Sequence, residues 1–226
     1  MAGVCHRPSI SGSVGGTQSV TVPESIPVSL PPPRQPDHDI DSIFVTRHSP
    51  RAFTGEALPE SELLRMIEAA RWSPSAYNSQ PWRFLYALRG DANWDTFFGL
   101  LVPGNQKWVS GTGAILFLVS NGFMKVGDEL KPSYSHSFDT GTASLAFQLQ
   151  AIHQGWHAHG MTGFDHVRAP EVLRLPENHR VEAAFAVGRK VPDAELTEEQ
   201  RPREAPNGRR PITDFVIAGP FPQSGG

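Results

Sequence analysis

The chain has 226 residues, with 20 Lys and Arg against 23 Asp and Glu, a formal net charge of −3 and a pI near 6.3. That length holds one sizeable domain or two small ones, and 38% hydrophobic with 19% charged residues is ordinary globular composition. The charge balance excludes a protein devoted to nucleic acid, which carries a basic excess. No apolar run approaches the ~20 residues of a membrane helix, so no membrane partner is expected.

Cys5 is the sole cysteine, so no intrachain disulfide can form. This suits a reducing cytoplasm, the expected location. Residues 1–36 lack the continuous apolar stretch of a secretory signal. They are rich in Gly, Ser, Val and Pro and finish with "LPPPRQP". Such a segment buries too little surface to offset its ordering entropy. A flexible tail is expected there, or an arm that orders on a partner. A thiolate mechanism would rest on Cys5 alone, inside that segment, and is not expected. The domain is expected over 37–220, with a short tail at 221–226.

Residues 39–46 put Ile40, Ile43 and Phe44 on one helical face. The stretch 56–72, "EALPESELLRMIEAARW", predicts the clearest helix. Pro59 suits its first turn, Glu60 and Glu62 its positive end, and Leu63, Leu64, Met66, Ile67 and Ala70 form its buried stripe. Ser73-Pro74 stops it. "WRFLYAL" (82–88) reads as a strand. Residues 91–101 read as a helix with Trp94, Phe97, Phe98 and Leu101 on one face, and "AILFLV" (114–119) as a central strand. Residues 121–138 have no clean period and are expected to form a mobile loop or lid. A second strong helix is expected over 140–154, built on Leu145, Phe147, Leu149 and Ile152 and stopped by Gly155. A short helix at 169–175 and a strand at 181–188 follow. Residues 191–211 look too polar for the core, and 213–219 is expected as an extended arm. No internal repeat is present. The order predicts an α+β domain whose sheet is covered by helices. Gly111-Thr112-Gly113 precedes its strand, so it is no dinucleotide-binding turn.

Two segments carry candidate chemistry. In "RHSPRAF" (47–53), Arg47 and Arg51 offer guanidinium forks suited to phosphate oxygens, Ser49 adds a hydroxyl, and Pro50 stiffens the turn. The alternative is a pair of surface arginines in salt bridges. In "SPSAYNSQPW" (73–82), Ser75, Asn78, Ser79 and Gln80 lie between two prolines. Their donors and acceptors could read the edge of a heterocycle or a polyol chain. The alternative is a capped turn between helix and strand.

Together, "RHSPR" and "ARWSPSAYNSQPW" resemble the paired motifs of the nitroreductase family of FMN flavoproteins. The resemblance extends more weakly through "GNQKWVSGTGAILFLV", the 140–154 helix, "GMTGF", "AVGRK" and "NGRRPITDFV", covering residues 37–220. It implies a nitroreductase-like FMN-binding fold: a mixed, mostly antiparallel central sheet flanked by helices, in an intertwined homodimer. By resemblance, Arg47, Ser49 and Arg51 hold the FMN phosphate and ribityl chain, with the His48 backbone close by. Arg209, rather than Arg210, completes the phosphate site. Two or three arginines complement the roughly two negative charges of a phosphate. Pro74, Ser75, Ala76 and Asn78 match the segment that reaches the flavin from the other subunit, with Gln80 beside it. Lys107 is the candidate donor near flavin N1 and O2, with Asn105 a weaker match in the same segment. Gly160, Met161 and Gly163 match the strip passing one ring face, although the acidic residue often found there is missing from "GMTGF".

The resemblance further implies a ping-pong oxidoreductase. NAD(P)H delivers hydride to flavin N5, and a nitroaromatic or quinone then takes it. No catalytic residue is expected, since the flavin does the chemistry. Acceptor choice is assigned to Phe123, Met124, Tyr134 and Phe138, whose side chains could line a planar acceptor. His136 stands among them. The alternative is a surface loop with an apolar anchor. Dehalogenation, ring oxidation or flavin breakdown on the same cradle, or a flavin carrier without turnover, are the rival activities. Gly188-Arg189-Lys190 invites a phosphate reading, but a charged strand end is the preferred one. His153, His157 and His159 suggest a metal cluster, but Gly155 separates them, and no metal is expected.

Overall fold

A computed structural model describes residues 34–222. Most of the expected 1–36 tail, with Cys5, and most of the expected 221–226 tail lie outside the described residues. Six elements build the frame. Strands β1 (Trp82–Leu88), β2 (Ala114–Asn121), β5 (His157–Met161) and β6 (His179–Gly188) form one sheet in the order β1-β2-β6-β5, and helices α2 (Glu60–Arg71) and α5 (His136–His153) pack on it. Every pairing in the sheet is antiparallel.

The apolar run of β2 follows from its position. Its first seven residues are buried, because strands flank it and helices cover both faces. Ala114, Leu116 and Leu118 face α2 and α5, joining Leu63, Met66, Ala70, Phe147, Phe185 and Val187. Ile115, Phe117 and Val119 point the other way. They meet Phe97 of α3 (Trp94–Phe98), Val109 of α4 (Pro103–Val109), Ala169 of α6 (Arg168–Val172) and Phe164.

Several expectations are corrected. Residues 121–138 are no irregular loop. Strands β3 (Phe123–Val126) and β4 (Glu129–Pro132) form a hairpin, and α5 begins at His136, four residues before its expected start. The hairpin turns at Gly127, whose φ is +62°. The expected 91–101 helix shrinks to the five residues of α3. Strand β5 and helix α4 have too little period of their own to be read from sequence. In α2, Leu64 is 48% exposed rather than part of the stripe. In α1 (Ser42–Thr46), capped by Asp41 Oδ1 on the Ile43 amide at 2.8 Å, Phe44 is 52% exposed, as is Ile40 just before it at 49%. The 191–211 stretch sends two side chains inward, Leu196 and, from α7 (Arg201–Glu204), Glu204. The expected extended arm begins instead as a 3-10 turn over Ile212–Asp214.

Phe147 shows how tightly the α5 layer is packed. It is fully buried and meets Phe84 at a ring-centroid distance of 5.6 Å and Phe185 at 5.8 Å. Phe147→Ala should destabilise the fold by about 3–5 kcal/mol. Urea unfolding will show this as a lower midpoint with an unchanged slope.

Candidate functional site

Arg47 ends α1 with extended backbone (φ −52°, ψ 124°), and the next five residues are strapped down from three directions. The buried carboxylate of Glu204 accepts the Arg51 and Ala52 amides through Oε1, at 2.8 and 2.9 Å. His159 on β5 donates Nδ1–H to the Pro50 carbonyl at 2.8 Å, which sets its tautomer. Trp108 of α4 packs on the His159 ring at 4.6 Å and stacks with Phe53 at 6.1 Å. The Val191 amide donates to the Ala52 carbonyl, and the Thr54 amide to that of Arg189.

Around this loop the cations gather. Arg47 Nη1 donates to Ser49 Oγ at 3.0 Å. Arg34 Nη1 donates to the carbonyls of Val45 and Arg47, at 2.7 and 2.6 Å. Burial, then the charges of Arg34 and Arg209, hold the Arg47 guanidinium below its ordinary pKa. Burial, then Lys190, Arg34, His157 and Arg47, push His48 down to about 4. Burial, then Lys190 and Arg47, push His157 down to about 4 as well, and its Nδ1 is buried without a partner. Among the described residues, no carboxylate lies in salt-bridge range of Arg34, Arg47, Arg51 or Arg209. Like charges held together without a counter-ion repel, and a phosphate dianion relieves that repulsion. The donor set therefore fits a phosphomonoester. Arg209, unlike Arg210, is felt electrostatically by both Arg34 and Arg47.

The second motif is organised by another buried carboxylate. Asp139, on the first turn of α5, accepts the Ala76 amide at 3.1 Å and the Ser135 hydroxyl at 2.9 Å, both through Oδ2. Thr142 donates to the Pro74 carbonyl, and Ser75 Oγ accepts the Gln80 amide at 3.0 Å. The Gln80 side chain is spent locally, donating to the Asn78 carbonyl at 2.9 Å. Tyr77, Asn78 and Gln80 all have positive φ, of 53°, 53° and 47°. Each such non-glycine residue costs of order 1–3 kcal/mol and persists only where its surroundings impose it. Those surroundings begin at a β-bulge: β6 skips Glu182 between Val181 and Ala183. The Glu182 carboxylate takes hydrogen bonds from Ser120, Ser137 and Arg180, which ties the start of α5 to the sheet.

The strip at 160–163 lies with the first motif. Gly160 and Met161 follow His159 directly on β5. Met161 is buried in the core, so this strip can offer a ligand mainly backbone. Asn105 Nδ2 donates to the Gly163 carbonyl at 2.9 Å, and any Cβ at Gly163 would stand 2.5 Å from that nitrogen. Lys107 is exposed on α4, next to Trp108. No hydrogen bond or ion pair joins residues 74–80 to residues 47–51 among the described residues. The expected acceptor residues are also divided. Phe123 and Met124 are half-buried in the hairpin, whereas Tyr134 and Phe138 are 103% and 75% exposed. His153 ends α5 while His157 and His159 lie on β5, and no three described His, Cys, Asp or Glu residues are placed to share a metal ion.

The model of the Nitroreductase family matches residues 45–98, the span of both motifs. A solved structure described as an oxidoreductase containing FMN is 40% identical, with a TM-score of 0.79 over 84% of this chain and 97% of its own. The chain belongs to the nitroreductase family. MhqN of Bacillus subtilis (strain 168), provisionally named an NAD(P)H nitroreductase, is 23% identical over 75% of this chain and 93% of its own length. An uncharacterized 15.4 kDa protein of Mycolicibacterium smegmatis is 30% identical over 54% of this chain and 88% of its own.

Two residues around the arginine motif escape a reading of the sequence, Arg34 and Glu204, whereas Lys190 is weighed there and set aside as a strand end. Arg34 stands among prolines, and Glu204 is one acid in a charged run. Only the pairing across the fold distinguishes them.

Two outcomes are expected. Glu204→Ala should strip the Arg51 and Ala52 amides of their acceptor and cost about 1.5–3 kcal/mol, as for a hydrogen bond to a charged group. Faster hydrogen exchange at those two amides will report it, and Glu204→Gln, which keeps an acceptor, should largely restore protection. His48 and His157 bind protons less readily folded, at about 4, than at the ordinary 6.5. Their contribution is therefore complete above 6.5 and lost as pH falls towards 4. The thermal midpoint of the apoprotein should drop through that window, and His48→Asn should flatten the drop.

Proposed function

We propose that this chain is an FMN-dependent oxidoreductase that passes reducing equivalents from NAD(P)H to an electron-poor small molecule such as a nitroaromatic or a quinone. The observation that carries this reading is the gathering of Arg34, Arg47 and Arg209 beside His48 and Ser49, with no carboxylate in salt-bridge range of these arginines among the described residues, on the loop that His159 ties to the strip at 160–163. Bound FMN would supply the redox chemistry, accepting hydride from the nicotinamide and handing it on. The protein's part is binding and electrostatics. Arg47, Ser49 and Arg51, with Arg209, would hold the phosphate, and the His48 backbone would lie along it. Gly160, Met161 and Gly163 would pass one face of the ring. Lys107 would lend positive charge where the reduced ring gathers negative charge.

We further propose a homodimer. The 74–80 segment, with Pro74, Ser75, Ala76, Asn78 and Gln80, is rigid and strained yet makes no hydrogen bond or ion pair with its own chain's arginine motif. Beside it runs a groove between α2 and α5 with no charged lining residue, walled by Phe44, Trp72, Phe138, Leu145 and Leu149. A second copy laid on this groove would bury those apolar side chains. It would also bring its own 74–80 segment to the first chain's cation cluster. Acceptor selection by Phe123, Met124, Tyr134 and Phe138 belongs to this same reading, with Phe138 at the groove.

Purified protein should show flavin absorption bands that bleach when NADPH or NADH is added without oxygen. Bands that persist with both would indicate a flavin carrier, and a colourless chain that takes up no FMN would sink the assignment. Arg47→Ala with Arg51→Ala should weaken FMN binding by about a hundredfold, as expected for two lost charged hydrogen bonds. Sedimentation should give twice the 24.7 kDa chain mass, and Leu145→Asp should shift it towards the monomer.

A further inference from the structure

Arg34 lies in the stretch whose composition predicts a flexible tail, yet its guanidinium reaches two distant parts of the chain. Nη1 donates to the carbonyls of Val45 and Arg47, and Nε donates to the carbonyl of Asn207 at 3.2 Å. The first two carbonyls mark the exit of α1, where Arg47 begins the motif. The third lies two residues before Arg209. One planar fork therefore spans the backbones that carry the two arginines of the phosphate cluster.

The arrangement has an evident cost. It adds a third cation beside Arg47 and Arg209: besides burial, Arg34 and Arg209 both lower the proton affinity of Arg47, and Arg209 lowers that of Arg34. Among the described residues, the three hydrogen-bond partners of Arg34 are neutral carbonyls, and none cancels its charge. Such a placement is unfavourable for the apoprotein and favourable once an anion arrives.

We propose that Arg34 is a positioning residue for the phosphate end of FMN. Its fork staples the 45–47 backbone to the 207–209 backbone and so sets the separation of Arg47 and Arg209. The chain segment before the domain thereby becomes part of the cofactor site. This rests on the FMN reading above. The staple needs donors at two points of a rigid plane, which a lysine ammonium cannot supply although it carries the same charge.

The test compares FMN with riboflavin, which lacks the phosphate, by titrating full-length apoprotein and following flavin fluorescence. Wild-type protein should bind FMN more tightly than riboflavin. Arg34→Lys and Arg34→Gln should each raise the Kd for FMN by about tenfold, the effect of one lost charged hydrogen bond. Riboflavin affinity should stay within about twofold, below the effect of any such bond. Wild-type-like FMN affinity in Arg34→Lys would reduce the residue to a point charge and overturn the staple. An equal loss for both flavins would make Arg34 a residue of the fold and overturn its link to the phosphate. Wild-type protein that binds neither flavin overturns the FMN reading itself, before any variant is compared.

Discussion

Strand β2 constrains everything around it. It is paired on both edges and covered on both faces, so it has no place for a charged side chain. Its backbone polar groups are satisfied by β1 and β6, and its alternating side chains serve two separate apolar clusters. Polar chemistry is thereby displaced to the margins of the sheet. One margin is the end of β5 and β6, where His157, His159 and Lys190 meet the arginine motif. The other is the opposite end of β6, where a bulge turns Glu182 towards the start of α5.

At each margin a buried carboxylate grips the backbone of a motif rather than its side chains. Glu204 takes the Arg51 and Ala52 amides, and Asp139 takes the Ala76 amide. Both carboxylates are 4% exposed. A carboxylate that accepts amide protons fixes the chain while leaving neighbouring side chains free for a ligand. It also explains how Tyr77, Asn78 and Gln80 can rest at positive φ without glycine. The conformation is imposed from α5 and from Ser75, not chosen locally. The two motifs are therefore preorganised separately.

Legibility followed range. The arginine motif and the Pro-Ser-x-x-Asn-x-Gln-Pro-Trp segment could be read because each is a continuous run whose residue types already declare donors and turns. The long stripe of α2 and the unbroken apolar run of β2 could be read for the same reason. Strand β5, "HAHGM", could not: its residues have little strand preference, and it exists because the β6 edge is there to pair with it. The start of α5 was displaced because "SHSF" carries no apolar period. Glu182 and Asp139 hold that turn in place from outside it and within it.

By itself the sequence determined the fold class, the family and the two motifs, since these depend on local periodicity and on side-chain chemistry within runs of about ten residues. Tertiary structure alone decided which charges meet. Arg34, His157, Lys190 and Arg209 come from four separate stretches, and only folding sets them around Arg47 and His48. It also decided that Glu204, in a segment polar enough to pass for surface, would be buried against the arginine motif. The physical reason is that a hydrogen bond or a Coulomb interaction depends on distance in space. A chain of 226 residues encodes that distance only through the packing of its core.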